Sequence, residues 1–269
     1  MIATLPRVRL GYDDDGDGLP VIFLHGFPHD RTLWAQQHVA LSSRVRCVSP
    51  DLRGFGESST DGPFSMDQYA SDVISLMDWL EIEQAVVCGL SMGGYVAMAM
   101  WRAHPSRIRA LALCDTRAGA DADAARLTRN ELIALVQSAG AAAIADKMLP
   151  GMVGISTRSE RPEIAAFLHD MMRRQPVAGI VGALESLRDR PDSRPTMRTI
   201  TVPTLVVVGE EDTLTPEDAA RELIELLPVA TRTRLESIPR AGHATCVERP
   251  AAVTHALAEF FAEIVADSA

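Results

Sequence analysis

The sequence predicts an α/β fold in which a mostly parallel, doubly wound sheet is interrupted by an inserted helical cap. The first observation is a set of compact apolar runs, typical of strands buried on both faces of a parallel sheet: 21–24, 45–48, 85–88, 108–113 and 205–208. The second is that segments with helical spacing alternate with these runs: 67–80, 92–104, 217–227 and 249–265. The third is that this alternation stops between Arg117 and Thr199 and then resumes.

Two further strands are expected near the ends of the chain. Residues 7–12 predict a first strand that leads into a tight turn at the acidic stretch 13–18, and residues 233–238 predict the last strand. Between Arg117 and Thr199 no strand-like run occurs, and 120–145 and 161–188 have helical patterns separated by a turn at Pro150-Gly151. We therefore expect a core domain formed by 1–116 and 200–269, and a helical cap formed by 117–199.

Composition excludes several classes of protein. The chain has 269 residues, of which 47% are hydrophobic, so it can bury a sizeable core and is not expected to be disordered. A net charge of −10 argues against a nucleic-acid partner. No apolar run approaches the roughly 20 residues that span a bilayer, and the first ten residues lack a signal-peptide pattern. The four cysteines have no CxxC pair, as in a reducing compartment, so we expect a cytoplasmic protein without a membrane partner.

The segment Gly89-Leu-Ser-Met-Gly93 is the principal candidate for catalysis. It follows a predicted strand and opens a predicted helix, which is the context that a GxSxG nucleophile elbow requires. Ser91 would then lie at a helix N-terminus, where free N–H groups favour developing negative charge. Taken alone, the same pattern also fits a glycine-rich turn with an ordinary N-cap serine.

A second loop, His25-Gly-Phe-Pro28, favours the catalytic interpretation. It follows the predicted strand at 21–24, and in acyl-transfer enzymes of this architecture that loop supplies one oxyanion donor while the residue after the nucleophile supplies the other. The expected donors are the backbone N–H groups of Phe27 and Met92. The His25 side chain is more simply explained as a structural histidine that shapes the loop.

Together these motifs resemble those of the α/β-hydrolase superfamily. The segment 51–58 is similar to the family's loop after the next parallel strand, 209–216 to its acid loop G-x-x-D-x-x-x-P, and 241–244 to its histidine loop. The resemblance implies a serine hydrolase with the chain order Ser91, Asp212, His243, in which Asp212 orients the base and His243 takes the serine proton. Asp115 follows the predicted strand 108–113 and remains a rival for the acid. Glu210 and Glu211 are interpreted as solvated loop charges.

The resemblance extends to small carboxylesterases and 3-oxoadipate enol-lactonase-like hydrolases. It implies hydrolysis of a small carboxylic ester or lactone through an acyl-serine. The HGFP loop is also similar to that of epoxide hydrolases and haloalkane dehalogenases, but those need an aspartate where this chain has Ser91. Two alternatives stay open: a cofactor-free perhydrolase or acyltransferase, and a non-enzymatic small-ligand receptor on the same fold.

Substrate contacts are expected from the oxyanion loop and the cap. The candidates are His25, Gly26, Met148 and Met171. Arg173 or Arg174 could meet a substrate carboxylate, although an exposed helix face with salt bridges is the favoured interpretation. No cofactor or metal is implied, because the aspartates at 13–17 lack the glutamate of a calcium loop. The expected partner is a small molecule, and a homodimer is left open.

Overall fold

The computed structural model describes residues 1–267 and is built around one sheet. Its strands are β1 (Ile2–Thr4), β2 (Arg9–Asp15), β3 (Pro20–Leu24), β4 (Arg46–Pro50), β5 (Ala85–Leu90), β6 (Ile108–Cys114), β7 (Thr204–Gly209) and β8 (Thr233–Ile238). They lie in the order β1-β2-β4-β3-β5-β6-β7-β8. The pairs β1–β2 and β2–β4 are antiparallel and all the others are parallel, which confirms the mostly parallel sheet.

Helices pack on the sheet and form the core. They are α1 (Ala35–Leu41), α2 (Met66–Trp79), α3 (Met92–Ala103), α9 (Glu217–Leu226), α10 (Thr245–Glu248) and α11 (Pro250–Ala266). Successive residues of β3 enter different apolar clusters: Ile22 belongs to one, and Val21 and Phe23 to the other. Because side chains alternate along a strand, the sheet is buried on both faces, as the continuous apolar runs predict.

The start of the chain differs from the sequence-based expectation. Residues 13–15 continue strand β2 instead of turning, and β2 pairs with β4 from Tyr12↔Pro50 to Asp15↔Cys47. The predicted turn comes later, as a bend at 17–19, because the acidic side chains of the strand have partners: Asp14 accepts from Arg46 at 2.7 Å, and Asp15 lies 2.8 Å from His38. Strand β1 was not predicted.

Five helices occupy the stretch between β6 and β7. They are α4 (Asp123–Met152), α5 (Ile155–Glu160), α6 (Pro162–Arg173), α7 (Val177–Asp189) and α8 (Arg194–Met197). The turn predicted at Pro150-Gly151 is wrong, because both residues lie within α4. The chain breaks earlier, at Gly140, whose φ of 79° is readily available only to glycine. The pattern at 161–188 is divided between α6 and α7.

Among the described residues, α4 is the one helix that could cross a membrane by length and composition alone, since an 18-residue window within it has a mean hydropathy of 1.4. A buried helix of a globular protein passes the same test, so this is weak evidence. The break at Gly140 leaves neither part of α4 with the roughly 20 residues that a spanning helix needs. Both α6 and α7 pack against α4.

Close contacts join the helices α6 and α7 to loops of the sheet. A Cβ on Gly179 of α7 would lie 1.8 Å from the carbonyl oxygen of Gly54, so only glycine permits this approach. Between α6 and α7, Arg174 and Gln175 donate to Asp30 at 2.7 and 2.8 Å. These contacts fix α6 and α7 above the carboxyl ends of β3 and β4, beside the loops that carry the predicted motifs.

Candidate active site

Ser91 lies at a sharp turn between β5 and α3. Its φ of 53° and ψ of −110° are strained for a residue with a side chain. The turn is possible because glycines flank it: a Cβ on Gly89 would come within 2.3 Å of the Gly93 carbonyl oxygen. The Ser91 N–H donates to the Cys114 carbonyl at 2.8 Å, and the Thr116 hydroxyl donates to the Ser91 carbonyl at 2.8 Å. This strained, well-anchored geometry is that of a nucleophile elbow.

The loop after β8 brings His243 to Ser91. The Ser91 Oγ lies 2.8 Å from His243 Nε2, and His243 Nδ1 lies 2.8 Å from Asp212 Oδ2. A carboxylate can only accept, so the proton of a neutral ring resides on Nδ1 and leaves Nε2 free to accept from the serine hydroxyl. His243 and Asp212 are buried. The structure thus places the three predicted residues in one hydrogen-bonded chain.

Asp212 is held as a carboxylate by several donors. The N–H groups of Leu214 and Thr215 donate to Oδ1 at 2.8 and 3.0 Å, and the Thr215 hydroxyl donates to Oδ2 at 2.6 Å. Burial alone would raise the pKa of Asp212, but His243 and Thr215 outweigh it, and the net pKa is lowered. Sequence reasoning missed Thr215. An aspartate followed three residues later by threonine is a turn signal that could have indicated it.

Asp115, the rival acid, has different partners. Its Oδ1 accepts from the Gly209 N–H at 3.0 Å, and its Oδ2 accepts from the Thr245 hydroxyl at 2.5 Å. Burial and the nearby Asp212 carboxylate raise the pKa of Asp115 well above its ordinary value. The side chain therefore ties the end of β6 to β7 and α10, and it is Asp212 that reaches the histidine.

Two backbone N–H groups near Ser91 have no internal partner. Among residues 1–267, neither Phe27 nor Met92 donates its N–H to a protein acceptor. Gly26 brings the first loop close to the elbow, since a Cβ there would lie 3.3 Å from Ser91 Cβ. The Phe27–Pro28 peptide bond is cis. The placement suits a pair of oxyanion donors.

His25 has a structural arrangement. The Leu52 N–H donates to Nε2 at 2.9 Å, so Nδ1 carries the proton and donates to the Gly26 carbonyl at 2.9 Å. Burial lowers the pKa of His25, which keeps the ring neutral. Neither His25 nor Gly26 lines the cavity at Ser91. Their contact with substrate stays a prediction, and the His25 side chain itself joins the loop after β3 to the loop after β4.

A cavity of about 150 Å³ opens in front of Ser91 and His243. Its other lining residues come from α3, from loops after the strands, and from helices of the stretch between β6 and β7: Phe27, Tyr95, Arg117, Arg129, Met148, Met152, Leu187, Leu214 and Thr215. Met148 lies where the sequence analysis expected it. Met171 does not, because it faces inward from α6 into an apolar cluster and is fully buried.

The two arginines singled out at the end of α6, Arg173 and Arg174, do not lie at the cavity. Arg173 pairs with Asp170 at 2.7 Å, and Arg174 pairs with Asp30 at 2.7 Å. Neither lines the cavity at Ser91. The favoured interpretation, a helix face with salt bridges, matches these contacts.

Two glutamates that the sequence analysis did not use support the site. Glu248 Oε1 accepts from the N–H groups of Gly242 and Ala244 at 2.9 and 3.2 Å, on either side of His243, and its Oε2 accepts from Gly154 at 2.9 Å. Glu211 accepts from the Ser156 N–H at 2.9 Å, so its interpretation as a solvated charge is wrong. These carboxylates connect the acid and histidine loops to the cap.

His29 gives the first testable prediction. Its ring is fully buried, and neither nitrogen has a hydrogen-bond partner among the described residues. Burial and the neighbouring His25 lower the pKa of His29 to about 3. Below pH 6.5, His29 is therefore protonated in the unfolded chain but stays neutral in the folded chain. The free energy of unfolding consequently falls as the pH drops from 6.5 towards 3. Such a histidine costs about 2 kcal/mol of stability between pH 7 and pH 5.

Urea unfolding at pH 7 and pH 5 measures this effect. His29→Leu removes the titrating ring and should reduce the loss of stability between the two pH values by about 2 kcal/mol. His255→Gln changes an exposed histidine on α11 and should keep the wild-type pH dependence. An unchanged pH dependence in His29→Leu would show that His29 titrates normally in the folded chain.

No group of three or more His, Cys, Asp or Glu residues within 1–267 is arranged to hold a metal ion. The four cysteines are free and buried. Burial raises the pKa of the Cys88 and Cys246 thiols well above the ordinary value. These thiols are therefore core side chains.

The sequence and the structure of the chain are similar to those of known proteins. Residues 21–256 match the alpha/beta hydrolase family. A 3-oxoadipate enol-lactonase of Acinetobacter baylyi is 30% identical, over 94% of this chain and 93% of its own. A thermophilic esterase from Thermogutta terrifontis, solved with malate bound, superposes with a TM-score of 0.94 at 35% identity, covering 98% of each chain. The enol-lactonase from Burkholderia xenovorans LB400 gives a TM-score of 0.89 at 30% identity, over 97% of this chain and all of its own. The chain therefore belongs to the alpha/beta hydrolase family.

Proposed function

We propose that the protein is a serine hydrolase that cleaves small carboxylic esters or lactones through an acyl-serine intermediate. The carrying observation is the hydrogen-bonded chain from Ser91 Oγ through His243 to Asp212, with both distances 2.8 Å, at the edge of a cavity. Esterases and enol-lactonases among the similar proteins support the same chemistry.

Acylation would begin with attack of Ser91 Oγ on the ester carbonyl carbon. His243 Nε2 takes the serine proton, and Asp212 stabilises the imidazolium that forms. The carbonyl oxygen becomes an oxyanion, which the N–H groups of Phe27 and Met92 can bind, each such donor contributing about 2.7–4 kcal/mol to lowering the barrier. As the tetrahedral intermediate collapses, His243 returns the proton to the leaving alkoxide and the acyl-serine remains.

Deacylation reuses the same groups. His243 removes a proton from water while the water oxygen attacks the acyl carbon, and the second tetrahedral intermediate expels Ser91 Oγ, which recovers its proton from the histidine. For a lactone, the leaving alkoxide is tethered to the acyl group, so it becomes a hydroxyl group of the acyl-serine and leaves in this step as part of a hydroxy acid. Water enters as the only co-reactant.

The cavity favours small acyl groups. Its volume of about 150 Å³ is below the roughly 300–1,000 Å³ of most ligand pockets. The apolar wall is formed by Phe27, Met148, Met152, Leu187 and Leu214. Short acyl chains can bury their methylenes against this wall, each worth about 0.8 kcal/mol, whereas a long chain must extend out of it.

A chain-length series of p-nitrophenyl esters tests the proposal. We expect kcat/KM to be highest for acetate to butyrate and to fall at least about 10-fold for octanoate, the equivalent of 1.4 kcal/mol. Esterase activity that is absent across this series and a lactone panel, with saturable ligand binding, would favour a receptor. Faster product formation with hydrogen peroxide or an alcohol than with water would favour a perhydrolase or acyltransferase.

A further inference from the structure

We propose that Arg117 and Arg129 form an anion-binding subsite in the cavity beside Ser91, so that the substrate is an ester or lactone carrying a carboxylate away from its scissile bond. This inference rests on the proposed hydrolase function and names its substrate class. These two residues take the place of Arg173 and Arg174, the arginines first considered, which pair with Asp170 and Asp30 and do not line the cavity.

The charge balance behind the cavity is positive. Asp121 accepts from three guanidinium groups: Arg117 at 2.7 Å, Arg129 at 3.0 Å and Arg190 at 2.7 Å. Its carboxylate is fully buried, and although burial raises the pKa of Asp121, the arginines Arg129 and Arg190 lower it overall. One negative charge therefore faces three positive charges, which leaves an excess of two.

The three arginines are not equivalent. Arg190 is 2% exposed; it donates to the carbonyl oxygens of Leu187 and Gly119, and its guanidinium lies 4.3 Å from the centre of the Tyr95 ring. Its surroundings are protein on all sides. Arg190 therefore holds the cluster together and is not available to a ligand.

Arg117 and Arg129 instead reach the cavity wall. Their side chains are 33% and 19% exposed, and both line the cavity with Ser91 and His243. The Arg117 Nε is buried and has no hydrogen-bond partner among residues 1–267. The Arg190 Nε is likewise buried and unpaired, so it is the exposed third of the Arg117 side chain, and not its Nε, that a ligand in the cavity would meet.

No lining residue offsets this charge. The side chains that form the wall include neither aspartate nor glutamate. Two guanidinium groups in a small cavity attract an anion, and a carboxylate fits the planar fork of arginine donors. A neutral ester offers no anion to the remaining donors of these two arginines. The subsite should therefore discriminate between anionic and neutral esters.

Paired substrates measure this discrimination. The anionic members are the monoethyl esters of succinate, glutarate and adipate, and the neutral partner of the glutarate ester is ethyl 5-methylhexanoate, in which an isopropyl group replaces the carboxylate. We expect wild-type kcat/KM to favour at least one monoester over the neutral ester by about 10-fold or more.

The variants Arg117→Gln and Arg129→Gln should lower kcat/KM for that monoester about 10- to 100-fold, mainly through KM, and change the neutral ester less than about 2-fold. Arg173→Gln removes the same charge from the exposed face of α6 and should leave both values unchanged. If Arg129→Gln fails to fold, Arg117→Gln still tests the subsite, because Asp121 keeps two partners.

Two results would overturn the subsite: a preference for the neutral ester over all three monoesters, or an equal loss on both substrates in the arginine variants. A lack of turnover on any ester would contradict the hydrolase proposal instead. In that case calorimetric titration with glutarate decides the subsite, since binding to the wild type but not to Arg117→Gln supports it and no binding to the wild type contradicts it.

Discussion

Replacing Ser91 with alanine is expected to lower kcat for p-nitrophenyl acetate by about 10⁴- to 10⁶-fold, because the variant has no nucleophile to form the acyl-enzyme. The oxyanion donors of Phe27 and Met92 remain in place, so a small residual rate above water is expected. Stopped assays at high enzyme concentration, with active-site titration of the wild type, measure the difference.

Folding is the control for this variant. The Ser91 side chain has His243 as its hydrogen-bond partner, whereas its backbone is held by Cys114 and Thr116, so the melting temperature should change little. Alanine at a φ of 53° retains the strain that serine already has. A correctly folded Ser91→Ala protein with wild-type turnover would remove Ser91 from the mechanism.

Asp212→Asn is expected to lower kcat by about 10⁴-fold while the fold persists. Either oxygen of a carboxylate can accept from His243 Nδ1, whereas an amide can accept only through its oxygen. The neutral amide also no longer stabilises the imidazolium that forms during acylation. An amide nitrogen facing Nδ1 would also favour the tautomer with the proton on Nε2, which cannot take the serine proton. Steady-state kinetics with a melting curve measure both parts of the prediction.

Asp115→Asn is the matched control. The two aspartates are both buried and close in space, but Asp115 bonds to Gly209 and Thr245 and not to the histidine. Its raised pKa means that a neutral side chain suits its position. We expect less than about a 10-fold change in kcat, since no contact with the reacting groups is lost. A larger loss in Asp115→Asn than in Asp212→Asn would reverse the assignment of the acid.

Sequence predicted the sheet and the elbow well because both depend on local chemistry. Continuous apolar runs require burial on both faces, and the β3 residues Val21 and Ile22 indeed enter opposite clusters. The Gly89–Gly93 pattern specifies a sharp turn by itself. The acidic run at 13–15 misled the prediction because its partners, among them Arg46 and His38, are distant in sequence.

The cap was harder to predict. A helical pattern gives the residues that share a face, but not the neighbour that this face meets, so Met148 and Met171 were equally good candidates although only Met148 lines the cavity. For a similar reason the sequence did not predict that Arg117 and Arg129 line the cavity. Their spacing of four and eight residues from Asp121 was visible, but the path of the loop after β6, which carries Arg117, and the direction of α4, which carries Arg129, depend on tertiary packing.

The most direct test of the central claim is covalent labelling with diethyl p-nitrophenyl phosphate, followed by peptide mass spectrometry. An activated nucleophile attacks phosphorus, releases p-nitrophenolate and keeps the diethylphosphoryl group. We predict one equivalent of label on the peptide that contains Ser91, loss of esterase activity in proportion to labelling, and no label on Ser91→Ala. Loss of activity with Ser91 unmodified, or full labelling of Ser91 with activity retained, would contradict the account.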